Sequence, residues 1–269
     1  RCSENCKFCA QSAHNHTDAD TYPLLSKEEI LADAKKQAAQ GVLRYSIVTA
    51  GKALSDAEID IMCDTIRQIR QETTLSVCVS FGLLTESQFR RLKDAGVSRV
   101  HNNLETSERH FPNICTTHTF ADKVSAIQAA QQAGLTVCSG GIMGMGETMA
   151  DRIDMALALR GLGITSVPVN VLNPIPGTPF GEYPTLSEAE VLGILALYRF
   201  LLPAASIRMA GGRGLLPDGG KSCFLSGANA AITGDMLTTA GITAQTDLQM
   251  LTELGYEVKL DETTDGHRH

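Results

Sequence analysis

Short apolar segments of strand-like composition alternate with helical patterns along almost the whole chain. Strands are predicted at residues 42–49, 75–81, 97–104, 135–142, 166–172, 206–210 and 230–234, and helices at 26–40, 55–72, 85–95, 120–133, 150–162, 187–202, 222–229 and 245–254. This alternation indicates parallel strands joined by right-handed crossovers. An open doubly wound sheet and a closed barrel both satisfy it. No G-x-G-x-x-G follows the first strand, which disfavours a dinucleotide-binding open sheet.

The length of 269 residues falls in the usual range of a (β/α)8 barrel. A strand ahead of the first loop would bring the count to about eight units. We therefore predict an α/β fold, a TIM-type (β/α)8 barrel, as a single domain over residues 1–260 with a polar tail at 261–269. The first strand and its helix are expected upstream of residue 1.

Composition narrows the classes of partner. The net charge of −7 gives no support to nucleic-acid or anionic-membrane binding. No apolar run reaches the 18 residues of a candidate membrane span, and no basic–apolar signal segment is present. We expect a cytoplasmic protein that binds neither nucleic acid nor membrane.

Three cysteines, Cys2, Cys6 and Cys9, form a C-x3-C-x2-C run with Phe8 before the last one. Three thiolates on one loop can bind three irons of a four-iron cluster, which leaves the fourth iron open to a small molecule. The spacing also permits a zinc site completed by His14 or His16. The run alone leaves both possibilities open.

Other candidate residues follow from the barrel prediction, because barrel enzymes place their chemistry at the carboxyl ends of strands. Cys78 and Cys138 lie near two such ends, and Arg208 lies on a third strand. A buried arginine is costly unless it pairs with an anion or ligates a metal centre. Their convergence predicts a second site inside the barrel. His118, like His14 and His16, is assigned to a surface or loop position.

The chain resembles the biotin synthase family of the radical S-adenosylmethionine (SAM) enzymes. The resemblance rests on C-S-E-N-C-K-F-C-A-Q-S at 2–12, N-L-E-T-S at 103–107, C-S-G-G-I-M-G-M-G-E-T at 138–148, V-N-V-L-N-P-I-P-G-T-P at 169–179, and residues 208–213 and 227–229. The first motif specifies only the superfamily, whereas the set together is specific to the family.

The resemblance implies an enzyme that converts dethiobiotin to biotin. Cys2, Cys6 and Cys9 would bind a [4Fe-4S] cluster whose open iron takes SAM, and reduction would yield a 5′-deoxyadenosyl radical that abstracts hydrogen. An auxiliary iron–sulfur cluster would donate the inserted sulfur. The resemblance also implies a homodimer and an electron donor such as flavodoxin or ferredoxin.

Further roles carry over by position in the motifs. The residues matched to SAM contacts are Phe8, Ile142 and Gly144 for adenine, Asn103 and Glu105 for ribose, and Thr49 for the amino group. Asn103 and Asn170 match the residues that recognise the ureido ring of the substrate. The family usually has Asp where this chain has Glu105, so the ribose contact is expected to change.

Three positions match auxiliary-cluster ligands: Cys78, Cys138 and Arg208. The fourth matched position, a cysteine in familiar members, is Ser46 here, and its oxygen is a harder and poorer ligand than a thiolate. We expect an altered auxiliary cluster, either [2Fe-2S] or a [4Fe-4S]-type variant, with Cys115 as a candidate replacement ligand. Loss of sulfur insertion is the other outcome.

Two alternatives to this function remain at the level of sequence. One is a radical SAM enzyme without sulfur insertion, similar to a hydrogenase maturase or a methylornithine-synthase-like mutase. The other is a zinc-stabilised barrel with no redox role, which the cysteine run alone allows.

Overall fold

The computed structural model describes residues 1–236 and 241–260, and in these residues eight strands form one parallel sheet. The strands are β1 (Arg44–Val48), β2 (Ser76–Ser80), β3 (Val97–His101), β4 (Thr136–Cys138), β5 (Gly141–Met143), β6 (Ser166–Val171), β7 (Ser206–Met209) and β8 (Ala230–Ala231). Their order is β1-β2-β3-β4-β6-β7-β8, with β5 paired to β6. The prediction of parallel strands is confirmed, and the sheet curls as a half-barrel of the TIM type.

Helices connect successive strands, as the alternation predicts. They are α1 (Lys27–Ala39), α2 (Asp56–Glu72), α3 (Glu86–Asp94), α4 (Phe120–Gln132), α5 (Met149–Gly161), α6 (Glu188–Leu201), α7 (Lys221–Ser226) and α8 (Ala244–Glu253). The capping box predicted at the start of α1 is present, because Ser26 accepts from the amide of Glu29 and the Glu29 carboxylate accepts from that of Ser26.

The strand predicted at 135–142 is divided into β4 and β5. At the division the Ser139 amide donates to the carbonyl of Ser166, while the Gly140 carbonyl accepts from the amide of Glu105. A Cβ on Gly140 would lie 1.9 Å from the carbonyl oxygen of Pro168, so only glycine fits there. β4 and β5 both pair with β6 in one register, whereas the offset to the chain of β3 shifts by one residue between the pairs His101–Cys138 and Glu105–Gly141. Alternation of apolar residues cannot reveal such a shift.

Two apolar clusters hold the fold together. The larger fills the space between the sheet and helices α1 to α7. The smaller packs against Cys6 and Phe8 of the cysteine loop. It consists of Phe111, Ile114, Cys115, Met145, Leu172 and Phe180. Among the described residues no helix is long and apolar enough to cross a membrane. The tail predicted at 261–269 lies outside the described residues.

Candidate functional site

The cysteine loop is fixed by its own backbone. The Cys2 amide donates to the carbonyl of Gln11 (2.8 Å), and the side-chain amide of Asn15 donates to the carbonyls of Cys6 (3.2 Å) and Cys9 (2.9 Å). The three cysteines are half-buried and their thiols are free. An ordered loop with three accessible, unpaired thiols has the ligand set that an iron–sulfur cluster with one open iron requires.

The loop rests on the segment that precedes α4. Asn5 joins the two through its side-chain amide, which donates to Thr116 Oγ1 (2.7 Å), while Asn5 Oδ1 accepts from the Thr116 amide (2.9 Å). The Lys7 amide donates to the carbonyl of Ile114 (2.9 Å). These contacts bring Cys115 to the cysteine loop.

Cys115 and His118 form a buried cluster with this loop. The ligand atoms of Cys6, Cys115 and His118 lie within 4.8 Å of one another. His118 Nδ1 lies 3.3 Å from Cys115 Sγ and 2.7 Å from Glu4 Oε2. Two sequence assignments are therefore corrected. Cys115 lies beside Cys6 and not with Cys78 and Cys138. His118 is buried and not at the surface, because its ring contacts the buried side chains of Cys115 and Glu4.

The two thiols of this cluster differ in acidity. The hydrogen bond with Cys6, reinforced by His118, lowers the pKa of Cys115 to about 3, whereas the same contact together with burial raises the pKa of Cys6.

An apolar surface adjoins the cysteine loop. Phe8 and Ile142, which sequence analysis assigned to adenine, both pack against the smaller apolar cluster, beside Met145. Gly144 has a φ of +102°, a value that L side chains rarely adopt. The backbone at this turn is held by Glu147, whose carboxylate accepts from the amides of Gly144 (2.8 Å) and Met145 (2.7 Å).

Asn103 and Glu105 lie at the end of β3 and contact each other. Asn103 Nδ2 donates to Glu105 Oε2 (3.3 Å), and Asn103 Oδ1 accepts from the Gly140 amide (3.1 Å). Glu105 has a φ of +71°, the one positive φ at a non-glycine position among the described residues. Burial raises the pKa of its carboxyl. A residue held in this sparsely populated conformation points to a functional constraint.

Asn170, on β6, contacts the same glycine pair from the other side. Its Nδ2 donates to the carbonyl of Gly141 (3.0 Å), and its Oδ1 accepts from the amide of Gly211 (2.9 Å). Asn103 and Asn170 are therefore joined through residues 140–141. Thr49 follows β1, and its amide donates to the carbonyl of Ser80 (3.1 Å).

A second group of polar residues follows from the strand register. Ser46 pairs with Cys78, Cys78 with Arg99, and His101 with Cys138. Register partners on adjacent strands point to the same face of a sheet. Because Arg99 and His101 are two residues apart on β3, both lie on the face that carries the two cysteines.

The charges around Cys138 favour its thiolate. Burial would raise the pKa of Cys138, but hydrogen bonding and charge from His101, together with Arg208, lower it to about 6. Burial and the neighbouring Cys138 raise the pKa of Cys78 to about 11. Arg208 Nε donates to Ser166 Oγ (2.7 Å). Two thiols, an imidazole and a guanidinium thus face one region, which suits a sulfur-rich metal centre.

Sequence reasoning missed three members of this second site, namely Arg99, His101 and Ser166. Only the pairing of strands shows that these residues belong to the site. His101 is the last residue of β3 and lies opposite Cys138, and Arg99 Nη1 donates to Ser166 Oγ at 3.4 Å. An alternating pattern gives the face of each residue but not which residue stands opposite it.

Two protein-family models match consecutive parts of the chain. Residues 1–159 match the Radical SAM superfamily, and residues 168–257 match the Biotin and Thiamin Synthesis associated domain. The strands of both ranges belong to one sheet, since β6 pairs with β4 and β5.

Similar proteins agree with this assignment. A biotin synthase of Brachyspira hyodysenteriae is 60% identical over 262 residues, which cover 97% of this chain and 79% of that protein. A biotin synthase of Akkermansia muciniphila is 57% identical over 260 residues, covering 97% of this chain and 81% of that protein.

Solved structures with the same fold are much more distant in sequence. A methylornithine synthase superposes with a TM-score of 0.81 at 19% identity, over 96% of this chain and 80% of that one. The [FeFe]-hydrogenase maturase HydG gives a TM-score of 0.79 at 18% identity, over 95% of this chain and 61% of that one. These likenesses establish the fold alone, whereas the family matches and the identities above establish the family. The chain belongs to the biotin synthase family of radical SAM enzymes.

Proposed function

We propose that this chain inserts one sulfur atom into dethiobiotin and so produces biotin. Cys2, Cys6 and Cys9 hold a [4Fe-4S] cluster, and the interior residues Cys78 and Cys138 hold an auxiliary cluster. When bound, the first cluster and SAM supply a carbon radical that can take hydrogen from a saturated C–H bond, which side-chain acids and bases cannot do. The protein supplies binding, orientation and the sulfur-rich second site.

The observation that carries this proposal is the meeting of Cys78, Cys138 and Arg208 on the inner face of the sheet. Cys138 is the register partner of Ser166, whose hydroxyl accepts from Arg208 Nε (2.7 Å). Arg99, the register partner of Cys78, donates to the same hydroxyl (3.4 Å). A mutase needs no such group, because it transfers no sulfur. A zinc-stabilised barrel would need one closed tetrahedral site, whereas here thiols converge at two separate places.

The adenine of SAM lies against Phe8 and Ile142, where the backbone at Gly144 lets a planar ring approach closely. Asn103 and Glu105 bind the ribose, since a carboxylate and an amide suit two neighbouring hydroxyls. The left-handed conformation of Glu105 supports this role, because it sets the direction of a side chain longer than the usual Asp. Thr49 binds the amino group of SAM.

The ureido ring of dethiobiotin is recognised by Asn103 and Asn170. Each amide already spends one donor and one acceptor on protein groups. An amide offers two N–H donors and two acceptor lone pairs, so each residue keeps one of each for a ligand. The ureido carbonyl and N–H groups match that remaining capacity, and the existing hydrogen bonds hold both amides in a fixed orientation.

The remaining features of the proposal concern partners and location. A low-potential carrier such as flavodoxin or ferredoxin delivers the electrons, the enzyme works as a homodimer, and it acts in the cytoplasm. The net charge of −7 and the sparse cysteines support a reducing, aqueous setting.

Sulfur transfer tests the proposed function directly. The protein is reconstituted anaerobically with iron and 34S-sulfide, then given dethiobiotin, SAM and reductant, and the biotin formed is analysed by mass spectrometry. We expect 34S in the product, and loss of product in Cys78→Ala and Cys138→Ala. Cys63→Ala is the matched control, because Cys63 lies on α2 with its thiol donating to the carbonyl of Arg91. Cleavage of SAM without any sulfur-containing product would refute the proposal.

A further inference from the structure

The interior site contains only part of a thiolate ligand set. Cys78 and Cys138 supply two thiols, and Ser46 stands beside Cys78 where a third would complete the set. The other cysteines are engaged elsewhere: Cys115 lies beside Cys6, Cys63 lies on α2, and Cys223 lies on α7. Ser46 is exposed, and its hydroxyl hydrogen-bonds to the Cys78 thiol.

An imidazole lies beside one of the two thiols, on the strand that runs between them. Cys78 lies on β2 and Cys138 on β4, so β3 runs between them. His101 is the last residue of β3, is the register partner of Cys138, and makes a hydrogen bond to its thiol. His101 is half-buried.

Imidazole nitrogen is a known replacement for thiolate in iron–sulfur clusters, as in Rieske centres, where two histidines take the place of two cysteines on one iron. A serine hydroxyl is a harder and weaker ligand than either. A nitrogen within hydrogen-bond reach of Cys138 Sγ is also close enough to share a cluster with that sulfur.

We propose that His101 supplies a nitrogen ligand to the auxiliary iron–sulfur cluster, in compensation for the thiolate that Ser46 lacks. This inference rests on the proposed function, because it requires that the interior site holds a cluster. The neutral nitrogen gives the cluster one negative charge fewer than an added thiolate would. Arg208, held by Ser166, completes the group of candidate ligands.

The test is spectroscopic and uses the native side chain at position 101. The full chain carrying Cys2→Ala, Cys6→Ala and Cys9→Ala is produced with 15N-imidazole histidine, reconstituted with 57Fe and sulfide, and cryoreduced. Pulsed EPR then measures the nitrogen hyperfine coupling, and Mössbauer spectra of the oxidised cluster report the same ligand without a paramagnetic state. We expect a 15N coupling of the strength found for iron-bound histidine, and one iron site with distinct Mössbauer parameters.

Two substitutions in the same background assign the signal. His101→Gln, which keeps a hydrogen-bonding side chain, is expected to remove the coupling and the distinct iron site. His118→Gln is the matched control, because His118 is also beside a buried thiol but belongs to the first site, and it is expected to change neither.

The outcomes separate the inference from the function on which it rests. A cluster without histidine coupling, or with only the weak coupling of a hydrogen-bonded ring, overturns ligation by His101 and leaves sulfur insertion standing. A protein that holds no iron once the three loop cysteines are gone overturns both. Coupling that survives in His101→Gln assigns the nitrogen to another histidine and also overturns the inference.

Discussion

Glu147 holds the backbone turn at Gly144, on which the proposed adenine contact depends. We expect its neutralisation to lower both the free energy of unfolding and the affinity for SAM. Its carboxylate accepts hydrogen bonds from the amides of Gly144 (2.8 Å) and Met145 (2.7 Å) and from Arg152 Nε (2.8 Å). The side chains of Glu147 and Arg152 are 2% and 10% exposed. Glu147→Gln keeps the shape but turns an N–H donor toward the Met145 amide and leaves the Arg152 charge unpaired.

The magnitude follows from that burial. Removal of one partner of a buried ion pair costs about 3–5 kcal/mol, and because Arg152 keeps some contact with solvent we expect about 3 kcal/mol. In a chain of this length that lowers the thermal unfolding midpoint by about 5–6 °C. If about 1.4 kcal/mol of the loss is expressed at the turn, SAM binds about tenfold more weakly. Circular dichroism melts and equilibrium dialysis with SAM measure the two effects.

Glu190→Gln is the matched control. The carboxylate of Glu190 also accepts from a backbone amide at a helix start, that of Ser187 (2.9 Å), but this hydrogen bond is exposed to solvent. Loss of such a helix cap lowers the free energy of unfolding by about 1 kcal/mol. Glu147→Gln/Arg152→Met should be more stable than Glu147→Gln alone, because it removes the stranded charge. If Glu147→Gln melts within about 1 °C of Glu190→Gln, the buried pair does not hold the turn and the reasoning fails.

Three further predictions follow from other contacts. Gly140→Ala should prevent correct folding, because its Cβ would lie 1.9 Å from the carbonyl of Pro168, whereas Gly161→Ala, with no atom within 4 Å, should fold normally; soluble yield and circular dichroism compare them. Burial raises the pKa of Asp151, but hydrogen bonds from two hydroxyls, a backbone amide and an arginine outweigh it and hold the pKa below the ordinary value of 3.8 for an aspartate. Its stabilisation is therefore present above pH 3.8 and lost as the pH falls through the folded pKa, so the stability difference between wild type and Asp151→Asn should shrink in acid melts. Cys115→Ser should leave the Mössbauer spectrum of the auxiliary cluster unchanged in protein without the three loop cysteines, and a changed spectrum would show that Cys115 reaches that cluster.

Local patterns were sufficient to predict most helices and strands. The start of α1 followed from Ser26 and Glu29, because a capping box satisfies its own backbone amides and needs no tertiary partner. The strand ends that carry Cys78 and Cys138 followed from apolar runs bounded by polar residues. The Cys2 loop was identified because its ligands are neighbours in sequence.

The residues that the sequence left out or assigned to the wrong site are those whose role depends on distant partners. Cys115 joins the first site because Asn5 fixes the cysteine loop to the segment before α4, a contact across 111 residues. From the sequence alone, His101 is only a polar residue within a strand. The register between β3 and β4 shows that it lies opposite Cys138. Neither contact leaves a local signal, since one depends on a loop docking and the other on the alignment of two strands.

The break between β4 and β5 links the two proposed sites. The Gly140 amide donates to Asn103 Oδ1 on one side, and the Gly141 carbonyl accepts from Asn170 Nδ2 on the other. The same break lets the chain pass from Cys138, at the interior cluster site, to Ile142, at the proposed adenine surface, within four residues. Between the two strands the offset to the chain of β3 shifts by one residue, and there the amide of Gly140 donates to the side chain of Asn103. The glycines therefore hold the two asparagines proposed to bind the substrate at a point of the chain between the proposed source of the radical and the proposed source of the sulfur, which is the arrangement that sulfur insertion requires.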